Sequence, residues 1–154
     1  MNKAVFVLLC VCLTPALCYA PISNFGKFNM YMDKYCAQEN VDKDRMLLRI
    51  FHESSFRMVK VWEKKIKAYS YGYGCMTLGS AMSIDPCITE EDLMNPEKNV
   101  EISVKFAAKL SKMYGGNWDK VISHWVTGKP DRKPKLVAIE NQRVEELKKI
   151  SGGV

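Results

Sequence analysis

Within Asp42-Lys-Asp-Arg-Met-Leu-Leu-Arg-Ile-Phe-His-Glu-Ser-Ser-Phe56 an acid stands where a helix should bury its apolar face. Met46, Ile50 and Glu53 follow one another at spacings of four and three, with Leu47 alongside, so they share one helical face. A carboxylate on such a stripe is costly unless it is paired or protonated, and burial raises its pKa. A carboxyl that keeps its proton near neutral pH is what general acid catalysis requires. The competing reading is a helix-end Glu that turns to solvent or pairs with Arg49 or Arg57, and it needs no chemistry.

A second segment brings the backbone close to something. Gly72, Gly74 and Gly79 punctuate Ser70-Tyr-Gly-Tyr-Gly-Cys-Met-Thr-Leu-Gly-Ser-Ala81. Tyr73 and Trp125 are aromatic groups that either stack on a ligand or pack in the core. The sequence has no Cys/His spacing for zinc and only two histidines, so His52 and His124 read as structural or surface groups; no metal and no cofactor is expected.

The elements around these residues follow from local signals. A helix is expected over about Met30 to Gln38, and a second from an Asp42 cap to about Phe51. Met58 to Trp62 alternates like a strand, and Glu63 to Lys67 suits a turn-rich hairpin. Thr89-Glu-Glu-Asp92 is a variant capping box opening a short helix that ends at Asn95-Pro96. A long helix follows, with Ile102, Phe106, Leu110 and Met113 on one stripe, until Gly115-Gly116 stops it. Asn117 caps the next helix, which runs to Gly128; Pro130 and Pro134 mark a loop, and Leu136 to Ile150 forms an amphipathic closing helix. The chain therefore reads as one mainly α domain with a small irregular or β-hairpin segment around residues 57–80.

Residues 1–20 stand apart. Met1-Asn-Lys, the apolar run Ala4 to Leu13 and Cys18-Tyr-Ala20 are laid out as a secretory signal peptide cleaved after Ala20, with an uncleaved anchor as the alternative. Residues 21–154 then form the domain, with no stable membrane span expected after cleavage, and the protein is exported to the periplasm, cell wall or extracellular space. Three of the six cysteines lie in that leader, leaving Cys36, Cys75 and Cys87. An odd count means at least one free thiol or an intermolecular bond; Cys75 with Cys87 is the most plausible bridge by proximity in sequence, with a free Cys75 thiol as the other reading. The 23 Lys and Arg against 17 acids suit an acidic partner. The basic residues are scattered, without the aromatic interleaving of single-strand binders, so nucleic acid is not expected.

Three segments in order resemble the soluble lytic transglycosylases, a lysozyme-like family that cleaves peptidoglycan. Glu53-Ser-Ser-Phe56 is similar to the family's catalytic Glu-Ser signature at the end of a core helix. Gly72-Tyr-Gly-Cys-Met-Thr-Leu-Gly-Ser-Ala81 resembles its Gly-Leu-Met-Gln run followed by Thr-Ala. Asp92-Leu-Met-Asn-Pro-Glu-Lys-Asn-Val100, continued to Tyr114-Gly-Gly-Asn-Trp118, resembles its Asp-Leu-x-Asp-Pro-Glu-x-Asn-Ile segment and its Tyr-Gly-Gly-x-Trp approach. The resemblance spans about residues 41–128 and implies a lysozyme-like fold. The departures are definite: Gly74 and Cys75 replace the family's Met and Gln, and His124-Trp-Val-Thr-Gly128 replaces Ala-Tyr-Asn-Ala-Gly. Trp125 keeps an aromatic wall without a hydroxyl, and Val126 cannot make the hydrogen bonds of Asn.

The resemblance implies that Glu53 acts alone as acid and then base on the bond between N-acetylmuramic acid and N-acetylglucosamine, giving 1,6-anhydro ends without water. No second acid is obvious beside the motifs; Asp85 and Glu90 are near only in sequence. Ser55, Ser70, Gly72, Tyr73, Cys75, Met76 and Trp125 are the expected substrate contacts. The implied partners are peptidoglycan glycan strands and, beyond them, a secretion, conjugation or phage apparatus. A wall-binding module of low activity and a lysozyme-like hydrolase are the alternatives.

Overall fold

Residues 22–132 and 134–151 are described by the computed structural model of the protein, so the leader expected over residues 1–20 lies outside the described residues. The elements run α1 Ile22–Glu39, α2 Lys43–Ser54, β1 Lys60–Glu63, β2 Ala68–Tyr71, β3 Met76–Thr77, α3 Leu78–Met82, α4 Glu90–Leu93, α5 Pro96–Met113, α6 Trp118–Thr127 and α7 Pro134–Ser151. The fold is mainly helical with one small sheet, ordered β1-β2-β3 and antiparallel throughout. No helix among the described residues is long and apolar enough to cross a membrane.

Most boundaries are set by short polar codes. Asp42 accepts from the Asp44 and Arg45 N–H groups at the start of α2, satisfying donors that have no helical partner. Thr89 and Asp92 exchange side-chain and backbone bonds in a complete capping box. Asn95 caps α5, with Pro96 in its first turn, and Asn117 caps α6, which ends on Gly128 at φ +69°. Helix α1 is longer than expected, starting at Ile22 rather than Met30.

Helix α5 organises the core. Its Val100, Val104 and Ala107 meet Phe28, Met32 and Cys36 of α1 and Met46 and Ile50 of α2. Its Ile102, Phe106 and Leu110 join a second cluster with Tyr71, Met76, Leu93 and Val121. A helix apolar on two sides is an interior helix, so the single expected stripe was only half of the buried surface. Met113 departs from that stripe: it is 56% exposed, because the last turn of α5 runs beyond both clusters.

The sheet is pinned to α5 by one buried side chain. Asn99 donates to the Tyr71 carbonyl at 3.1 Å and the Leu93 carbonyl at 2.9 Å, and accepts from the Gly74 N–H at 3.1 Å. Gly72, at φ +71°, has no room for a side chain, since a Cβ there would stand 2.0 Å from the Asn99 amide. A Gly72→Ala variant combines left-handed strain with overpacking. It is expected to lose about 3 kcal/mol of stability in urea unfolding.

Candidate active site

Glu53 sits in the last turn of α2, and the chain reverses immediately after it. Ser55 and Phe56 both adopt the left-handed region, at φ +52° and +59°. A bulky residue pays strain there and is held by its surroundings. Phe56 is enclosed by the rings of Phe25, Phe28 and Phe51, and the Arg57 N–H and Nε both donate to the Ser54 carbonyl. The turn is thereby fixed, and with it the position of the preceding carboxylate.

The Glu53 side chain is only 19% exposed, and its Oε1 lies 3.0 Å from the Arg49 Nη2. Both readings of this residue therefore meet in one geometry: it is paired, and it is largely removed from water. Burial dominates, pushing the Glu53 carboxyl up to about 7 while Arg49 pulls it down and Glu140 and Glu63 add to the rise. A group titrating there can carry a proton to a leaving oxygen and take one back.

Beyond Arg49 the charges continue inward. Arg49 Nη1 donates to Glu140 Oε1 of α7 at 2.6 Å, and both side chains are almost wholly buried. Among the described residues, Arg49 Nε and Glu140 Oε2 have no hydrogen-bond partner. The Glu140 carboxyl is also raised, burial outweighing Arg49 and Arg45.

The residues expected to touch substrate divide into two groups. Cys75 is beside the site: its Sγ–H donates to the Glu53 carbonyl at 3.3 Å, and burial pushes the thiol up to about 12. Its backbone is left-handed at φ +46°. Ser55 caps α2 two residues after Glu53. Ser70, Gly72, Tyr73 and Met76 are instead buried. Tyr73 is 5% exposed and packs on Phe28 at 4.8 Å between centroids. Gly74 leaves no free face either, since a Cβ there would meet the Ser103 hydroxyl at 2.2 Å. Trp125 is half-buried, set edge-on against Phe106 at 5.2 Å. Asp85 and Glu90 face lysines, pairing with Lys98 and Lys60.

All three cysteines of residues 21–154 are free thiols, Cys36 buried, Cys75 half-buried and Cys87 exposed. With the folded protein at neutral pH, Ellman's reagent is expected to label Cys87 quickly, Cys75 slowly and Cys36 only on unfolding. Fewer than three titrated thiols after unfolding would mean a disulfide.

His52 is half-buried, and its Nε2 has no hydrogen-bond partner among the described residues; burial lowers the ring to about 4, assisted by Arg49 and Arg143. No cluster of ligating side chains that could hold a metal ion occurs among the described residues. Two grooves, of about 660 and 490 Å³, lie by Asp42, Arg45 and Trp118 and by Lys120 and Val137; neither is lined by Glu53.

No protein-family model, curated protein or solved structure matches the chain. The site was missed by sequence reasoning in three places. Asn99 lay inside a recognised segment without a role. Glu63 was read only as a turn residue. Glu140 sits 91 positions from Arg49, with no local signal joining them.

Proposed function

We propose that the protein is an exported peptidoglycan lytic transglycosylase on a lysozyme-like fold. The observation that supports this reading is the Glu53 carboxyl, largely buried at the end of a core helix and held near 7. Protonated Glu53 donates to the glycosidic oxygen between N-acetylmuramic acid and N-acetylglucosamine. The C1–O bond breaks, and the N-acetylglucosamine leaves with its 4-hydroxyl restored. The Glu53 carboxylate then takes the proton from the muramoyl O6, which closes onto C1 to give the 1,6-anhydro sugar. The enzyme ends reprotonated and no water is consumed. An internal nucleophile brings several kcal/mol of proximity advantage, on the order of 7 or more in well-oriented cases. The glycan strand is the partner, in the periplasm or wall, in support of a secretion, conjugation or phage apparatus.

A second reading, a wall-binding module without turnover, is favoured by the burial of Tyr73 and by grooves that leave Glu53 aside. Purified residues 21–154 incubated with isolated sacculi, with products read by mass, separate the readings. Anhydro ends are expected from the wild type. Hydrated ends identify a hydrolase, and sacculus binding without soluble product identifies the module.

A further inference from the structure

Arg49 stands between two carboxylates that reach it from different parts of the chain. Glu53 is one helical turn along on α2, with Oε1 at 3.0 Å from Nη2, and Glu140 comes from α7, with Oε1 at 2.6 Å from Nη1. A guanidinium presents donors in a planar fork and binds a carboxylate best with two parallel N–H groups. Neither acid obtains that arrangement. Each engages a different terminal nitrogen through one oxygen, and Nε and Glu140 Oε2 are left without partners. An unpartnered donor and an unpartnered acceptor in one buried cluster cost stability, so the cluster is not arranged for the tightest pairing.

We propose that Glu140 is a positioning residue for Glu53: by binding Nη1 it anchors the Arg49 guanidinium and shares its charge, so that one cation holds Glu53 at Nη2 while serving a second buried anion. With Glu140 absent, the whole charge of Arg49 would serve Glu53 and favour its carboxylate form. With Glu140 present, one cation serves two buried anions, and a proton relieves the surplus negative charge. The more exposed acid, Glu53, is where that proton is accessible. The other groups facing the cluster are Glu63 from β1, which opposes ionisation of Glu53, and Arg45, which favours ionisation of Glu140. Arg143 faces the neighbouring His52, and the Cys75 thiol contacts the Glu53 carbonyl on the remaining side. That the tuned carboxyl is the catalytic one rests on the transglycosylase reading; the tuning itself does not.

The test is the protonation midpoint of Glu53, read by carbon NMR of side-chain carboxyls in labelled protein, in wild type and Glu140→Gln. Removal of the Glu140 charge is expected to lower the Glu53 midpoint by about one pH unit or more. If sacculi are turned over, the upper pH limit of activity is expected to fall by the same amount, a change that lost packing alone does not produce. An unchanged midpoint in a folded Glu140→Gln variant overturns the proposal. Should that variant not fold, the wild type still decides. The Glu140 carbon is expected to show a step at the Glu53 midpoint, and a flat Glu140 signal through that midpoint overturns the coupling. A shifted midpoint with no turnover by wild type leaves the positioning intact and removes the enzymatic reading alone.

Discussion

Glu53→Gln is expected to abolish release of anhydro-muropeptides from sacculi, by at least 10³-fold or so, while making the folded protein more stable in alkaline solution. The two effects have one origin. In the unfolded chain a Glu titrates in the ordinary carboxyl range, whereas in the folded protein burial raises Glu53 to about 7. A carboxyl raised by folding binds its proton more tightly in the native state, so its contribution is fully present at low pH. That contribution is lost as pH climbs from the unfolded value through the folded one. Above pH 7 the wild type carries the whole cost of an ionised, buried Glu53, up to roughly 3 kcal/mol given the usual energy per pH unit. Gln cannot ionise, and its removal of one anion leaves Arg49 matched one to one with Glu140. Urea unfolding at pH 5 and pH 8 checks this: the variant's advantage should appear only at the higher pH. The activity of the wild type should fall as pH rises through about 7, since the first step needs the protonated acid. A Glu53→Gln protein that still releases anhydro products ends the proposed role. A variant equally or less stable at pH 8 ends the account of the raised carboxyl.

What could be read in advance follows from how far each signal reaches. Asp42, Thr89 with Asp92, Asn95 with Pro96, Asn117 and Gly128 act on backbone groups within four residues, so these boundaries were legible. The hairpin was legible for the same reason, its strands Lys60–Glu63 and Ala68–Tyr71 being joined by a polar turn. Gly72 and Gly74 were correctly read as places of close approach, but the sequence did not show what approaches. They sit against Asn99 and Ser103 of α5, so close packing of sheet on helix accounts for both glycines. Tyr73 was ambiguous between groove and core because a ring serves either; its burial and its packing on Phe28 decide for the core. Met113 continued the periodic pattern after the partners for that pattern had ended. Arg49 was weighed as a partner for Glu53, an i,i+4 relation readable on any helix. Glu140 was not, because pairing across two distant helices has no periodicity.

Arg49→Met is expected to cost about 3–5 kcal/mol at pH 7, more than its modest volume change implies. The reason is the asymmetry of buried ion pairs: breaking one by removing a single partner strands the other charge. Here two charges are stranded, Glu140 at 1% exposure and Glu53 beside it. Both carboxyls already lie above their ordinary range with Arg49 present, and Arg49 is the group that pulls each of them down. Without it both midpoints rise, so the variant should recover stability on acidification as the acids take up protons. The activity limit set by Glu53 should move to higher pH in the same protein. Adding Glu140→Leu to Arg49→Met replaces a buried charge by an apolar side chain and should restore most of the loss, a large favourable coupling between the two sites. Urea unfolding of the four proteins of this cycle at pH 5 and pH 7 measures that coupling. Additive losses, or a single-variant cost below about 1 kcal/mol, would show that the Arg49–Glu140 pair behaves as an exposed one does. The coupling, if found, means the last helix is energetically part of the site, because the cation that restrains Glu53 is itself held by Glu140.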